Sequence, residues 1–395
     1  MGQILHSVID KVYNWRNLKR ASGKVVSNKG AGGVDRMSAE QWRAKEDVHI
    51  AQLRKGLMND SYRSKPVRRS YVPKPGSDKK RALGIPVVRD RVCQQATHNV
   101  LMPVFEGYFH DSSHGFRPGR STRTAARQVE QLRRLGYRDV LDLDIKGFFD
   151  HVDHEILLRL VRQVVKDRRV LGLIRGWLKA GVLEEGNIRY QTSGTPQGGV
   201  ISPLLSNVYL TVLDNALEDK GHRFVRYADD VLVMCRSEQE ALEALSETRS
   251  ILSRLKLELN EQKTQISSFR AGFDFLGYHF GRRGRTVASK SLRSLYTKVR
   301  ELTRRRQGDL PVAKVIENLT PVLRGWGNYH LEGRNVGLFT RLDRWVCNRL
   351  RSYIYKRWRV HHRKKARPSK SELERMGLFS LRKLIRPDNP QLQLF

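Results

Sequence analysis

The sequence predicts an α+β domain followed by a smaller, all-helical one. Three observations carry that reading. From about Tyr71 to Phe280 short apolar runs alternate with stretches of helical period, as in a sheet packed against helices. After Gly281-Arg-Arg-Gly284 the apolar spacing becomes helical throughout. The chain has 395 residues, which at about 150 per domain suggests two or three domains.

Taken in order, residues 1–60 are polar and hold one Gly-rich stretch, Asn28-Lys-Gly-Ala-Gly-Gly-Val-Asp35, which marks a turn or a close backbone approach. Val140-Leu-Asp-Leu-Asp-Ile145 reads as a strand with Asp142 and Asp144 on one face and Leu141, Leu143 and Ile145 on the other. Ile156, Leu157, Leu160, Val161 and Val164 share one helical face. In Phe224-Val-Arg-Tyr-Ala-Asp-Asp-Val-Leu-Val-Met234, two β-favouring segments flank Tyr227-Ala-Asp-Asp230, predicting a hairpin with an acidic tip. Leu292, Leu295, Val299 and Leu302 begin the helical part. Val312, Ile316 and Leu319 follow, with a stop expected at Pro321 and Gly325. A third face uses Leu338, Leu342, Trp345, Val346, Leu350 and Tyr353, and three such helices form a small bundle. The run His361-His-Arg-Lys-Lys-Ala-Arg-Pro368 opens a basic tail.

Composition narrows the function. Lys and Arg number 75 against 40 Asp and Glu, a formal charge of +35, and so large a surplus calls for a polyanionic partner. The basic residues are spread along the chain without a basic amphipathic helix or lipidation signal, which favours nucleic acid over a membrane surface. No run of about 18 apolar residues and no N-terminal apolar core is present, so neither a membrane span nor a secretory signal is expected. Cys93, Cys235 and Cys347 lie too far apart for a CxxC zinc site or a disulfide framework. They suit a reducing cytoplasm and argue against an appended zinc nuclease.

The acids are the sharpest feature of so basic a chain. Adjacent carboxylates at a tight turn repel one another, and a divalent cation with hard oxygen ligands would explain them, Mg²⁺ above all. An Asp-rich surface turn is the plainer alternative. If the Asp142/Asp144 strand lies beside the hairpin, its carboxylates and Asp229 can clamp two metals about 4 Å apart.

The Tyr-Ala-Asp-Asp hairpin, with Asp144 followed by Phe149, resembles the palm of reverse transcriptases. The wording is similar to that of the enzymes encoded by bacterial group II introns. Matching blocks are Gly30-Ala-Gly-Gly-Val-Asp35, Tyr71-Val-Pro-Lys-Pro75, Arg81-Ala-Leu-Gly-Ile-Pro86, His114-Gly-Phe-Arg-Pro-Gly-Arg-Ser121 and Gly194-Thr-Pro-Gln-Gly-Gly-Val-Ile-Ser-Pro203. Leu257-Glu-Leu-Asn-Glu-Gln-Lys-Thr264, Phe275-Leu-Gly-Tyr278 and Leu323-Arg-Gly-Trp-Gly-Asn-Tyr-His330 continue the series, so the resemblance spans about 30–365.

The resemblance implies a right-hand polymerase: an N-terminal extension and fingers (1–90), a palm with the remaining fingers elements (91–284), a helical thumb and maturase domain (285–360) and a basic tail (361–395). It implies Asp144, Asp229 and Asp230 as ligands of two Mg²⁺, with Mn²⁺ as a substitute and Asp142 the stand-in if the register slips. Lys74 and Arg81 would hold the dNTP triphosphate, Phe149 would exclude a 2′-hydroxyl, and Gln197 would lie near the nucleotide and template base. Lys263 would protonate the departing pyrophosphate. Arg117, Arg120, Arg324, Arg363, Lys364 and Lys365 would touch nucleic acid. Tyr278 would serve as core or primer grip, and Trp326 and Tyr329 as core or base-stacking rings. The implied partners are an RNA template, structured intron RNA, a DNA primer or target and dNTPs, for a cytoplasmic, monomeric protein. A splicing factor with a vestigial polymerase and a domesticated reverse transcriptase of defence or repair are the alternatives.

Overall fold

A computed structural model describes residues 4–73, 80–190, 193–195, 198–304, 310–333, 335–357 and 368–385. They form two compact units, 1–267 and 268–395. Within the first unit the chain lays down β1 (Val67–Pro73), β2 (Lys80–Ile85), β3 (Asp139–Asp144), β4 (Val182–Glu184), β5 (Asn187–Arg189), β6 (Arg223–Tyr227), β7 (Asp230–Cys235) and β8 (Gln265–Ser268). Two four-stranded sheets result, ordered β2-β1-β4-β5 and β6-β7-β3-β8.

The second sheet carries the acids. In β3, Val140, Leu141 and Leu143 are buried, and in β7 Val231 to Cys235 are buried without interruption. A helix, Ser202–Asp219, contributes Leu204, Leu205, Leu210, Leu213 and Leu217 to the core the sheet shares. The helix His154–Val164 buries Ile156, Leu157, Val161 and Val164 as its period predicts, and Asp153 caps it by accepting from the amides of Glu155 and Ile156. The Gly-rich stretch makes the close approach expected of it. A Cβ on Gly33 would lie 2.6 Å from the Val87 nitrogen, and the Gly32 carbonyl accepts two bonds from the Arg68 guanidinium.

The second unit opens with a three-stranded sheet, β9 (Phe273–Phe275), β10 (Tyr278–Gly281) and β11 (Gly284–Val287), ordered β11-β10-β9. These strands pair with one another, and the two compact units divide ahead of them, at 267/268. Helices Ser289–Leu302, Val312–Tyr329 and Val336–Arg357 follow. Pro321 does not stop the second of them. It stands exposed, as does Glu317, whose carbonyl it deprives of an amide partner. The buried Val315, Ile316, Leu319 and Leu323 hold the opposite face.

The basic tail expected at 361–395 is in part core. The short helix Lys370–Arg375 and the turn Leu381–Ile385 bury Leu373, Leu381 and Leu384 against the bundle. Asp343 fastens them, accepting from the Ser380 hydroxyl at 2.5 Å and the Leu381 amide at 2.8 Å. Arg363, Lys364 and Lys365 lie outside the described residues.

His330 makes this unit sensitive to acid. The ring is 1% exposed, its Nε2 lies 2.8 Å from the Ser291 hydroxyl, and Nδ1 has no partner among the described residues. Burial, reinforced by the Arg285 charge, pushes its pKa down to about 4. The folded chain therefore holds the ring neutral while the unfolded chain protonates it near 6.5. The stabilisation is complete above 6.5 and is lost as pH falls toward 4, the loss amounting to about 2 kcal/mol at pH 5. Thermal melts at pH 7 and pH 5 should show a larger drop for wild type than for His330→Asn, and equal drops would remove His330 as the cause.

Candidate active site

Three carboxylates meet at one end of the central sheet. β3 and β7 run antiparallel with Asp144 opposite Asp230, and β6 and β7 pair Tyr227 with Asp230, leaving Ala228 and Asp229 as the two-residue turn. The hairpin and strand expected from sequence are thus neighbours, and the register puts Asp144 rather than Asp142 at the turn. Asp142 pairs with Leu232, one pleat further back.

The electrostatics show how closely the acids crowd. Partial desolvation at the mouth of the site pushes Asp230 up to about 6, and the charges of Asp229 and Asp144 add to the push. Burial also raises Asp229, with Asp144 contributing, while Arg81 and Arg226 oppose. Asp142 is pushed up to about 6 by burial and then by Asp230. Besides the buried Arg226, two exposed cations answer these charges. Lys263 Nζ lies 2.8 Å from Asp144 Oδ2, and Arg81, exposed on β2, lowers the pKa values of both Asp229 and Asp230. Clustered hard oxygens that resist ionisation fit a divalent cation, which would relieve the repulsion. Among the described residues no three His, Cys, Asp or Glu side chains are grouped to hold a metal ion as they stand, and Asp144 Oδ2 is engaged by Lys263.

The surroundings of the site are shaped by aromatic rings and glycines. Phe149 follows Asp144 on the short helix Phe148–His151, half-buried, with its ring edge-on to the buried Phe148. Its carbonyl accepts from the Thr195 amide at 2.7 Å, tying it to the loop that bears Gln197. That loop meets β2 at Gly198, where a Cβ would stand 2.8 Å from the Gly84 carbonyl, three residues from Arg81. Gln197 and Lys74 themselves lie outside the described residues.

Two of the expected nucleic-acid contacts are internal instead. Arg117 is 6% exposed, with its guanidinium on the Glu106 carboxylate at 2.8 Å and on the carbonyls of His110 and Ser113. It ties a loop together because a buried guanidinium needs several acceptors. Tyr278 is fully buried, stacks on Tyr329 and donates its hydroxyl to the Tyr329 carbonyl, the core role of the two expected for it. Trp326 donates to Ser291 and packs against Phe339, whereas Tyr329 donates to the Leu276 carbonyl and stays exposed. Arg120 is half-exposed and paired with Asp111, and Arg324 is exposed over the Phe379 ring.

Sequence reasoning missed the residues beneath the turn. Arg226, Asp214 and Asn207 are fully buried there. The available signal was an arginine within the otherwise apolar Phe224-Val-Arg-Tyr run, because a buried guanidinium must find a carboxylate.

Residues 72–280 match the family described as reverse transcriptase (RNA-dependent DNA polymerase), and residues 292–370 match the group II intron, maturase-specific domain. Protein YkfC of Escherichia coli K12 is 35% identical over 307 residues, covering 67% of this chain and 80% of that protein. The group II intron-encoded protein LtrA of Lactococcus lactis subsp. cremoris is 32% identical over 321 residues, covering 64% of this chain and 53% of its own length. This chain therefore spans about half of LtrA. A solved partial Cas6-RT-Cas1–Cas2 complex aligns at TM-score 0.39 and 24% identity, over 63% of this chain and 42% of that one. The matched segments make this an RNA-directed DNA polymerase. The chain belongs to the reverse transcriptase family, in its group II intron-encoded branch, with a maturase-specific domain behind the polymerase. No helix among the described residues is long and apolar enough to cross a membrane.

Proposed function

We propose that the chain extends a primer 3′-hydroxyl with dNTPs along an RNA template, at Mg²⁺ held by Asp144, Asp229 and Asp230, and that its helical unit binds structured intron RNA for splicing and retromobility. The observation that carries the reading is the register placing Asp144 opposite Asp230 beside the Asp229 turn, with Arg81 near enough to act on both hairpin acids.

When bound, the cations supply Lewis acidity to the attacking hydroxyl and to the oxygens of the departing pyrophosphate. The protein's own groups do the rest. Arg81, together with Lys74, neutralises the triphosphate and aligns it with the primer end. Phe149 occupies the space a ribose 2′-hydroxyl would need, and Gln197 is the residue we assign to the nucleotide and template base. Lys263, released from Asp144 as that carboxylate turns to its ligand role, stands ready to give a proton to pyrophosphate. Arg120 and Arg324 contribute phosphate contacts from the surface, whereas Arg117 and Tyr278 are withdrawn from that role by their burial.

Primer extension on an RNA template with dNTPs and Mg²⁺, then Mn²⁺, tests the polymerase. A folded, RNA-binding chain that adds no nucleotide would move the reading to a splicing factor. For the intron RNA, cutting the chain before Val360 is unsuitable because Leu373, Leu381 and Leu384 belong to the helical core. Replacing Arg363, Lys364 and Lys365 with glutamine leaves that core whole. The slope of log affinity against log salt should shrink by roughly two to three units if all three meet phosphates, and an unaltered slope would return them to solvent.

A further inference from the structure

Beneath the Ala228-Asp229 turn lies a buried polar cluster that the chemistry above does not use. The Arg226 guanidinium and the Asp214 carboxylate are both wholly inaccessible to water, joined by contacts of 2.7 Å from Nε and 2.5 Å from Nη2. The remaining guanidinium nitrogen, Nη1, donates to the Asn207 side-chain oxygen at 3.0 Å and to the Ala228 carbonyl at 2.9 Å. Asp214 and Asn207 are seven residues apart on the helix Ser202–Asp219, so both project from one face, two turns apart. Asn207 in turn donates to the Gly115 carbonyl at 2.8 Å. Gly115 presses on the turn from the other side, where a Cβ would stand 2.3 Å from the Ala228 nitrogen.

A buried ion pair is a poor way to stabilise a core. Taking two charges out of water costs about as much as their attraction returns, and apolar replacements of similar volume are often neutral or better. This pair does one thing an apolar pair cannot, which is to hold a backbone carbonyl. That carbonyl belongs to Ala228, a non-glycine residue at φ 59°, in the left-handed region that costs an L-residue about 1 kcal/mol or more. The strained residue immediately precedes Asp229, and relaxation of its backbone would swing that carboxylate.

We infer that Arg226, Asp214 and Asn207 are positioning residues that lock the Ala228-Asp229 turn so that the Asp229 carboxylate is held toward Asp144 and Asp230. The inference rests on the polymerase reading of the site. The guanidinium is shared between a helix and the turn, so the sheet's catalytic end is referenced to the helix Ser202–Asp219 and not to solvent-facing loops. A misplacement of about 1 Å at a reacting group can cost roughly a hundredfold in rate, which sets the scale of the expected effect.

The test compares wild type, Arg226→Met/Asp214→Leu, Asn207→Ala and Asp229→Ala in the full chain. The double variant removes both charges together, and Asn207→Ala leaves the ion pair in place. Four quantities are measured: melting temperature, primer–template affinity, extension rate across a Mg²⁺ titration, and amide hydrogen exchange of the segment 224–232. The expected result is near-wild-type melting and affinity, with extension slowed ten- to a hundredfold. The Mg²⁺ needed for half-maximal rate should rise, and exchange should quicken in 224–232 but not across the rest of the unit. A purely structural role would lower melting and quicken exchange throughout, with the Mg²⁺ requirement unmoved, and would overturn the inference. Wild-type rate and Mg²⁺ dependence in folded Asn207→Ala would also overturn it, even if the double variant fails to fold. Absence of extension by folded wild type would sink the polymerase reading itself, and full extension by Asp229→Ala would remove Asp229 from the site. A dead Asp229→Ala beside fully active clamp variants would sink only the positioning role.

Discussion

Replacing Asp229 with alanine should cut primer extension by at least about a thousandfold while primer–template affinity stays within about twofold. The two-residue turn Ala228-Asp229 offers the Asp229 carboxylate where Asp144 and Asp230 converge, and Ala228 has none to take its place. Loss of RNA binding together with extension would instead point to a collapsed hairpin. Stability separates these outcomes further, because the site is electrostatically strained. The folded pKa of Asp230 is raised to about 6, above its unfolded value, so its ionised form costs stability at neutral pH. Asp230→Asn should therefore raise stability at pH 7, by about 1 kcal/mol once solvent screening of this exposed side chain is allowed for. That gain should shrink as pH falls from 6 toward 4, where wild-type Asp230 is itself protonated in the folded state. A variant that is both inactive and more stable is the signature of acids placed for chemistry rather than for folding.

Phe149→Ala should relax sugar selection, with rNTP incorporation relative to dNTP rising by roughly a hundredfold, since steric exclusion of one small group is worth on that order. The ring is half-buried, braced edge-on by Phe148, and its backbone is bonded to Thr195, so a wild-type ring cannot easily swing aside. Competition between dGTP and GTP on a defined RNA template measures the effect. Unchanged selection with normal dNTP addition would place the gate elsewhere.

Much of this site was legible before the fold was. Period-two alternation in residues 140–145 fixes which side chains share a face, and Tyr227-Ala-Asp-Asp230 between two apolar segments leaves little but a hairpin. Helical periods located the bundle for the same reason, because amphipathic spacing is a local property. What failed was governed by remote partners. Pro321 looked like a stop, yet it sits on a water-facing side of a helix held by its other face. The residues after 369 looked like tail until Asp343 and the bundle core claimed Ser380, Leu381 and Leu384.

Arg117 shows the limit most plainly. It lies in a block whose resemblance to the family implied a nucleic-acid contact, and only Glu106 and two carbonyls brought against it reveal an internal brace. Arg226 is the converse case, a charge in a strand whose partner stands twelve residues back on a helix. By itself the sequence determined the α+β-then-helical order, the acidic hairpin and strand, and the chemistry their residue types permit. The tertiary structure alone decided the register of Asp144 against Asp230, the break at 267, and which arginines face inward. Alternation and helical period are written in neighbours along the chain, whereas burial of a charge depends on which carboxylate or carbonyl the fold carries to it.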